Sequence, residues 1–251
     1  MGKKGGARHL KRMPAPRFWP IHRKEFKWIV KPKPGPHSSA RSLPLLLVVR
    51  DQLGLAKTRK EARAIIAKGH VEVDGKLRLE EKFPIGLMDV VKIPSVNKTY
   101  RVIPLPKKGL TLHPVKAEES KFKLCRIENK TIIKGGHIQL NLHDGRNILI
   151  KVKDPRKPEE DGYSTFDVLK LSIPDQKTLD HIKIAEGIIA LVTGGKNIGQ
   201  YGKIVEIKRE AGPYPTVVTL ENGKGAQFQT TLDYVFAIGA AKPLISMPEA
   251  D

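Results

Sequence analysis

The stretch KTRKEARAIIAKGHVEVDGK, residues 57–76, decides the fold. Thr58-Arg59-Lys60-Glu61 has the form of a capping box, in which the threonine hydroxyl accepts from the third helical amide and the glutamate reaches back to the cap. Behind it, Ala62, Ile65 and Ile66 make the apolar stripe of a short helix, with Arg59, Lys60 and Arg63 on the opposite face. Gly69 offers a left-handed stop. Val71-Glu72-Val73 and Leu77-Arg78-Leu79 then alternate around Asp74-Gly75, the pattern of a hairpin on a tight turn. Helix, stop and hairpin form one small unit with a basic outer face. Lys57, Lys68, His70 and Lys76 extend that face into the flanking turns.

Upstream, Leu43–Leu55 is apolar on most faces and is expected to be a buried helix, with Ser42 as its N-cap and Gly54 near its end. Farther upstream the composition changes. Residues 1–42 carry a net charge of +11, with Glu25 the single acid, whereas residues 43–105 carry +5, residues 106–183 carry +5 and residues 184–251 carry −1. Prolines at 14, 16, 20, 32, 34 and 36 forbid a long helix there. The segment therefore reads as a basic arm, able to neutralise phosphates through Lys3, Lys4, Arg8, Lys11, Arg12, Arg17, Arg23, Lys24 and Lys27. Phe18, Trp19, Phe26 and Trp28 would stack on bases or pack into grooves. Such an arm is expected to order on RNA, exchanging chain entropy for released counterions.

Downstream, strand signals dominate. Ile138–Leu142 and Ile148–Val152 flank His143-Asp144-Gly145-Arg146-Asn147, and Val217–Leu220 and Ala226–Thr231 flank Asn222-Gly223. Asp154–Gly162 reads as a polar loop. In GIIALVTGGKNIGQYGKIVEI (187–207), glycines punctuate β-rich apolar residues as the turn of a small barrel requires, and Lys196 projects among them. The expected class is α+β, mostly β. Its units are a basic extension (1–42), a helix-pair and hairpin domain (43–105), a central β domain (106–183), a small barrel (184–240) and a tail (241–251).

The 251 residues carry a net charge of +20, which needs a polyanionic partner to be useful, and nucleic acid is the first candidate. One cysteine, Cys125, fits a reducing compartment and leaves no cysteine-based zinc site. The longest apolar run, Leu43–Val49, contains Pro44 and falls far short of the ~20 residues of a membrane span. The N-terminus has no apolar core for a secretory signal, and Gly2 lacks the Ser or Thr that myristoylation prefers. Gly199 is followed by Gln200-Tyr201, so no phosphate-gripping P-loop exists. The eight histidines show no helical ligand spacing. Cys125, inside KFKLCRIEN, reads as a strand core residue. The Asp144-Gly145 pair is explained by turn chemistry. No catalytic residue, metal, cofactor, small-molecule substrate or homo-oligomer is expected.

Residues 57–76 resemble the RNA-binding domain named after bacterial small-subunit ribosomal protein four, and 187–207 resembles the KOW motif of SH3-like barrels. Gln200 stands where many KOW sequences carry a cation. The whole chain resembles the archaeal and eukaryotic e-type family of small-subunit ribosomal protein four. The residues that carry this are HLKRMPAPRFWP (9–20), GPHSSARSLPLL (35–46), VEVDGKLR (71–78), FPIGLMDVV (83–91), KLCRI (123–127), HDGRNI (143–148), VTGGKNIGQYG (192–202) and FAIGAAKPLISMP (236–248). The resemblance implies a cytoplasmic ribosomal protein bound to small-subunit ribosomal RNA, with neighbouring ribosomal proteins as partners. Three readings compete with it. An elongation-factor-like KOW binder would carry a polymerase-facing barrel. An RNA-modifying enzyme would use Asp144, although the chain lacks the large catalytic domain of pseudouridine synthases. A polybasic membrane-surface protein would need an amphipathic helix that the arm does not have.

Overall fold

The computed structural model describes residue 7 and residues 9–154, 161–209 and 215–248. A two-stranded antiparallel ribbon, β1 (Leu10–Lys11) with β2 (Trp28–Ile29), opens the chain. The first folded unit follows. β3 (Leu43–Pro44) leads into α1 (Leu45–Leu47), whose backbone continues as a π turn over Val48–Gln52, and then into α2 (Arg59–Ala67). β4 (Glu72–Val73), β5 (Lys76–Leu77), β7 (Val90–Ile93), β8 (Lys98–Leu105) and β9 (Gly109–Pro114) form an antiparallel sheet in the order β5-β4-β7-β8-β9, while β6 (Pro84–Ile85) pairs with β3.

The helix expected from Leu43 begins two residues late. Pro44 holds an extended backbone, ψ 140°, and the residue before a proline is driven to extended geometry as well, so Leu43 and Pro44 pair with Ile85 and Pro84. Ser42 therefore caps nothing. Its hydroxyl is buried with no hydrogen-bond partner among the described residues, and its carbonyl accepts from the Trp19 indole instead. Beyond the helix start the local reading holds. Gly54 ends the turn at φ +63°. Thr58 Oγ1 accepts from the Glu61 amide at 3.3 Å while Glu61 accepts from the amides of Thr58 and Lys57, closing the capping box. Asp74 and Gly75 have φ of 51° and 71°, the two left-handed residues of a type I′ turn.

The domain boundary expected after residue 105 falls at the tip of the β8–β9 hairpin, so pairing carries the first sheet on to Pro114. A second sheet, ordered β12-β11-β10-β13-β14, comprises β10 (Phe122–Ile132), β11 (Ile138–Leu142), β12 (Asn147–Ile150), β13 (Val168–Ser172) and β14 (Thr178–Ile182). The third is ordered β18-β17-β16-β15-β19, from β15 (Ile189–Val192), β16 (Tyr201–Lys208), β17 (Val217–Glu221), β18 (Gln227–Thr231) and β19 (Val235–Gly239). Most of the polar loop expected at Asp154–Gly162 lies outside the described residues. Strands dominate, as the sequence patterning requires.

One apolar cluster draws on all three sheets, with Ile103, Leu124, Leu191 and Phe236 buried together. Ile245 joins it, and Ser246 donates to Glu119 at 2.9 Å, so the C-terminal segment expected as a tail is tied down as far as it is described. The extension behaves likewise. Ala15, Trp19 and Val30 share a core with Leu45, Ile66 and Val91, and Trp19 is 4% exposed. The described part of the arm is thus built into the protein itself. The expectation that it is open until RNA arrives is corrected here, because large apolar side chains are not left in water when a core lies within reach.

Candidate nucleic-acid interface

Helix α2 is pinned to the core by Ala62 and Ile66, which are fully buried, and this turns Arg59, Lys60 and Arg63 to solvent. The three cations are not equivalent. Arg59 donates to the Glu81 carboxylate at 2.6 Å, and that hydrogen bond raises its already high pKa. Lys60 and Arg63 have no carboxylate partner among the described residues. Lys57, Lys68, His70 and Lys76 surround the same unit, all four exposed to solvent, with the His70 ring 3.4 Å from the Ser95 hydroxyl. A rigid helix face bearing unpaired cations can bridge neighbouring phosphates at little entropic cost.

Within the extension the expected phosphate ligands divide into two kinds. Lys11, Arg17, Lys24 and Lys27 are exposed. Arg23 points inward, its guanidinium donating to the carbonyls of Arg12, Met13, Ala15 and Pro16 at 2.8–3.2 Å, and so ties the loop 12–16 into a knot. Arg12, 7% exposed at its side chain, donates to Glu25 at 3.1 Å and to the His22 carbonyl. The placement of Arg12, Arg23 and Trp19 gives all three a folding role, and Trp19 offers no face to a base. Lys3, Lys4 and Arg8 lie outside the described residues.

Three family models match the chain: "RS4NT (NUC023) domain" over residues 4–40, "S4 domain" over 43–91 and "Ribosomal family S4e" over 96–178. A relative from Desulfurococcus amylolyticus, "Small ribosomal subunit protein eS4", is 60% identical across 99% of both chains. One of the same name from Methanocaldococcus jannaschii is 54% identical over 98% of this chain and 100% of its own. The chain belongs to the ribosomal protein S4e family. Among solved structures, the crystal structure of the 30S ribosomal protein S4e from Thermoplasma acidophilum superposes with a TM-score of 0.66 at 35% identity, covering 80% of this chain and 96% of that one.

Sequence reasoning missed the charge cluster that joins the units of this S4e-family chain. Lys123, 1% exposed, donates from Nζ to Asp74 at 2.8 Å and to Asp89, and lies 3.0 Å from Asp144. Arg146 bridges Asp74 and Asp144 at 2.6 and 3.2 Å, and His37 of the extension meets Asp89 at 2.9 Å. Burial favours neutral carboxyls here, but the Lys123 ammonium outweighs it and holds Asp89 far below the carboxylate range and Asp144 at about 2. Lys123 responds in kind, its pKa raised by the three carboxylates against its own burial. Asp144 thus has a second role besides its turn. The one available signal was a lysine, Lys123, alternating among apolar residues of a strand.

Cys125, His143 and Asp144 bring ligand atoms within 4.8 Å of one another, yet the set does not suit a metal. The His143 Nδ1 accepts from the Arg126 amide and its Nε2 donates to the Leu87 carbonyl, so both nitrogens are engaged. Burial raises the Cys125 thiol well above its ordinary value, and an ammonium already faces Asp144. In the KOW-like loop Lys196 is exposed, but the glycines serve packing. A Cβ on Gly199 would sit 2.6 Å from the Leu105–Pro106 backbone, so the barrel loop docks flush on the β8–β9 turn. Arg126 completes the seam from the other side, donating to the carbonyls of Asp233 and Val235 at 2.7 and 3.0 Å.

Proposed function

We propose that this chain binds and stabilises small-subunit ribosomal RNA as a structural component of the small ribosomal subunit, supporting translation in the cytoplasm without catalysis. Lys60 and Arg63 carry the reading: they are exposed cations, unpaired among the described residues, on a capped helix inside the segment that matches the S4 domain. Their helix fixes both the spacing and the direction of the charges, which favours one RNA shape over others. Lys57, Lys68, His70 and Lys76 widen this footprint, the exposed cations of the extension supply a second, and Lys196 touches RNA or a neighbour at the barrel edge.

Neighbouring ribosomal proteins are the expected protein partners, with the chain present as one copy. No helix among the described residues is long and apolar enough to cross a membrane. Sedimentation of a lysate at high Mg²⁺, with a salt-stripping series on isolated particles, tests the assignment. Co-migration with the small subunit and release only at high salt is the expected outcome. A chain that stayed in the soluble fractions would overturn it and favour a KOW-type factor, whose polymerase binding would be measured next.

A further inference from the structure

The ribbon β1–β2 turns its two faces to different environments. Lys11 pairs across from Trp28 and Leu10 from Ile29, so side chains alternate between the faces. Leu10 and Ile29 pack against the core, while Trp28 remains 52% exposed and Phe26, just before the strand, 62%. Large rings so exposed in a folded segment stand out, because Trp19, nine residues before Trp28, is drawn fully into the core. Both rings are braced by cations. The Lys27 ammonium lies 5.3 Å from the Trp28 ring centroid, and the His9 ring packs at 5.8 Å. The Arg12 guanidinium lies 5.1 Å from the Phe26 centroid and is itself almost wholly buried. Such bracing holds a flat surface in place before anything binds it.

The chemistry around the rings selects the occupant. Lys11, Lys24 and Lys27 are exposed beside them, and Glu25, the single acid of residues 1–42, is already paired with Arg12. The patch therefore presents two fixed aromatic faces inside an unopposed positive field. The matching ligand carries flat faces and negative charge along one backbone.

We infer that Trp28 and Phe26 form a stacking site for unpaired nucleotides of RNA, with Lys11, Lys24 and Lys27 holding the adjoining phosphates. This rests on the ribosomal-RNA reading above and deepens it: the extension grips single-stranded RNA, whereas α2 meets the phosphates of folded RNA. Duplex RNA, whose base faces are already covered, gains only the charge contacts at this site.

Intrinsic fluorescence of the full-length protein separates the cases, because the chain has two tryptophans and only Trp28 is exposed. The probe is an oligoadenylate of about 12 nucleotides, compared with duplex RNA of equal charge at fixed salt. Single strands are expected to quench Trp28 emission and duplex is not. Trp28→Ala, read by fluorescence anisotropy of the labelled oligonucleotide, should weaken single-strand binding about tenfold or more with an unchanged salt slope, and Trp28→Phe should restore most of it. The unchanged emission of Trp19 in both variants reports an intact core. A Trp28→Ala protein that bound single strands as tightly as the parent would overturn the inference. So would one that kept this affinity but failed to enter reconstituted subunits, since the patch would then face a protein. In either case co-sedimentation of the parent leaves the ribosomal-RNA reading standing, whereas a parent that bound no RNA and joined no subunit would remove both.

Discussion

The helix face of α2 and the seam around Lys123 use the same residue types for opposite ends. At the helix, Lys60 and Arg63 stand in water with no carboxylate beside them among the described residues. At the seam, Lys123 is surrounded by Asp74, Asp89 and Asp144, which arrive from the first sheet's hairpin turn, the approach to β7 and the β11–β12 turn. Exposed cations are free to trade counterions for phosphates. Buried ones have lost their hydration and must be compensated locally, so they constrain how the units sit. A charge of +20 therefore overstates the charge available to RNA and hides the part that builds the protein.

The sharpest way to break this comparison is Lys123→Ala. Among the described residues, Arg146 and His37 would then be the basic side chains left to three buried carboxylates, and removing one partner of a buried ionic group costs about 3–5 kcal/mol. Urea unfolding followed by circular dichroism should show a loss of that size. A loss below about 1 kcal/mol would mean that solvent reaches the seam and that its charges behave like those of the helix.

Nearly as large is the contrast between the two tryptophans. Trp19→Ala removes a ring from the core and the indole hydrogen bond to the Ser42 carbonyl, with an expected cost of about 3–5 kcal/mol. Trp28→Ala, at a half-exposed site, should change stability by no more than about 0.5 kcal/mol. Equal effects in thermal melts would show that the extension is not divided into a core-facing and a solvent-facing half.

Acid should act on the seam and spare the helix face. Burial, with the Lys123 charge, holds the His143 imidazole down to about 3, well under its unfolded value. Between those two values the unfolded chain binds the extra proton, so stability falls as the pH drops below about 6.5, with a slope approaching 1.4 kcal/mol per pH unit. Asp144 and Asp89 have folded pKa values below their unfolded ones. Their contribution is fully present above about 4 and is lost as the pH falls toward 2. His143→Asn should flatten the upper part of a stability–pH profile and leave the lower part in place. An unchanged upper slope would assign that loss to another group.

What is legible in the sequence follows from the range of the interaction that carries it. The capping box of α2, the Asp74-Gly75 turn and the alternating strands are written within a few residues, and all are readable. The start of α1 is misplaced by apolar periodicity, which outweighs a local rule, the effect of Pro44 on its predecessor. The seam is invisible for another reason. Lys123 and its partners Asp74 and Asp89 are 49 and 34 residues apart, and each looks like an ordinary surface charge in its own context. The arm's prolines and cations are likewise sound indicators of composition that say nothing of which side chains turn inward.

Arg59 lies on the border between the two regions and gives the finest test. Lys60→Ala with Arg63→Ala should leave stability within about 0.5 kcal/mol and reduce the slope of log affinity against log salt for ribosomal RNA by about 2, one unit for each phosphate no longer neutralised. Arg59→Ala should do less to the slope, because part of its guanidinium already serves Glu81, and more to the fold. The Glu81 side chain is 9% exposed, and taking its partner away leaves a nearly buried carboxylate short of a donor, at a cost of about 1 kcal/mol. If Arg59→Ala instead behaved as the loss of a free cation, with a full unit of slope and no change in stability, the Glu81 pair would open on RNA. The helix face would then make three phosphate contacts in the bound state, one of them released from an ion pair, rather than two.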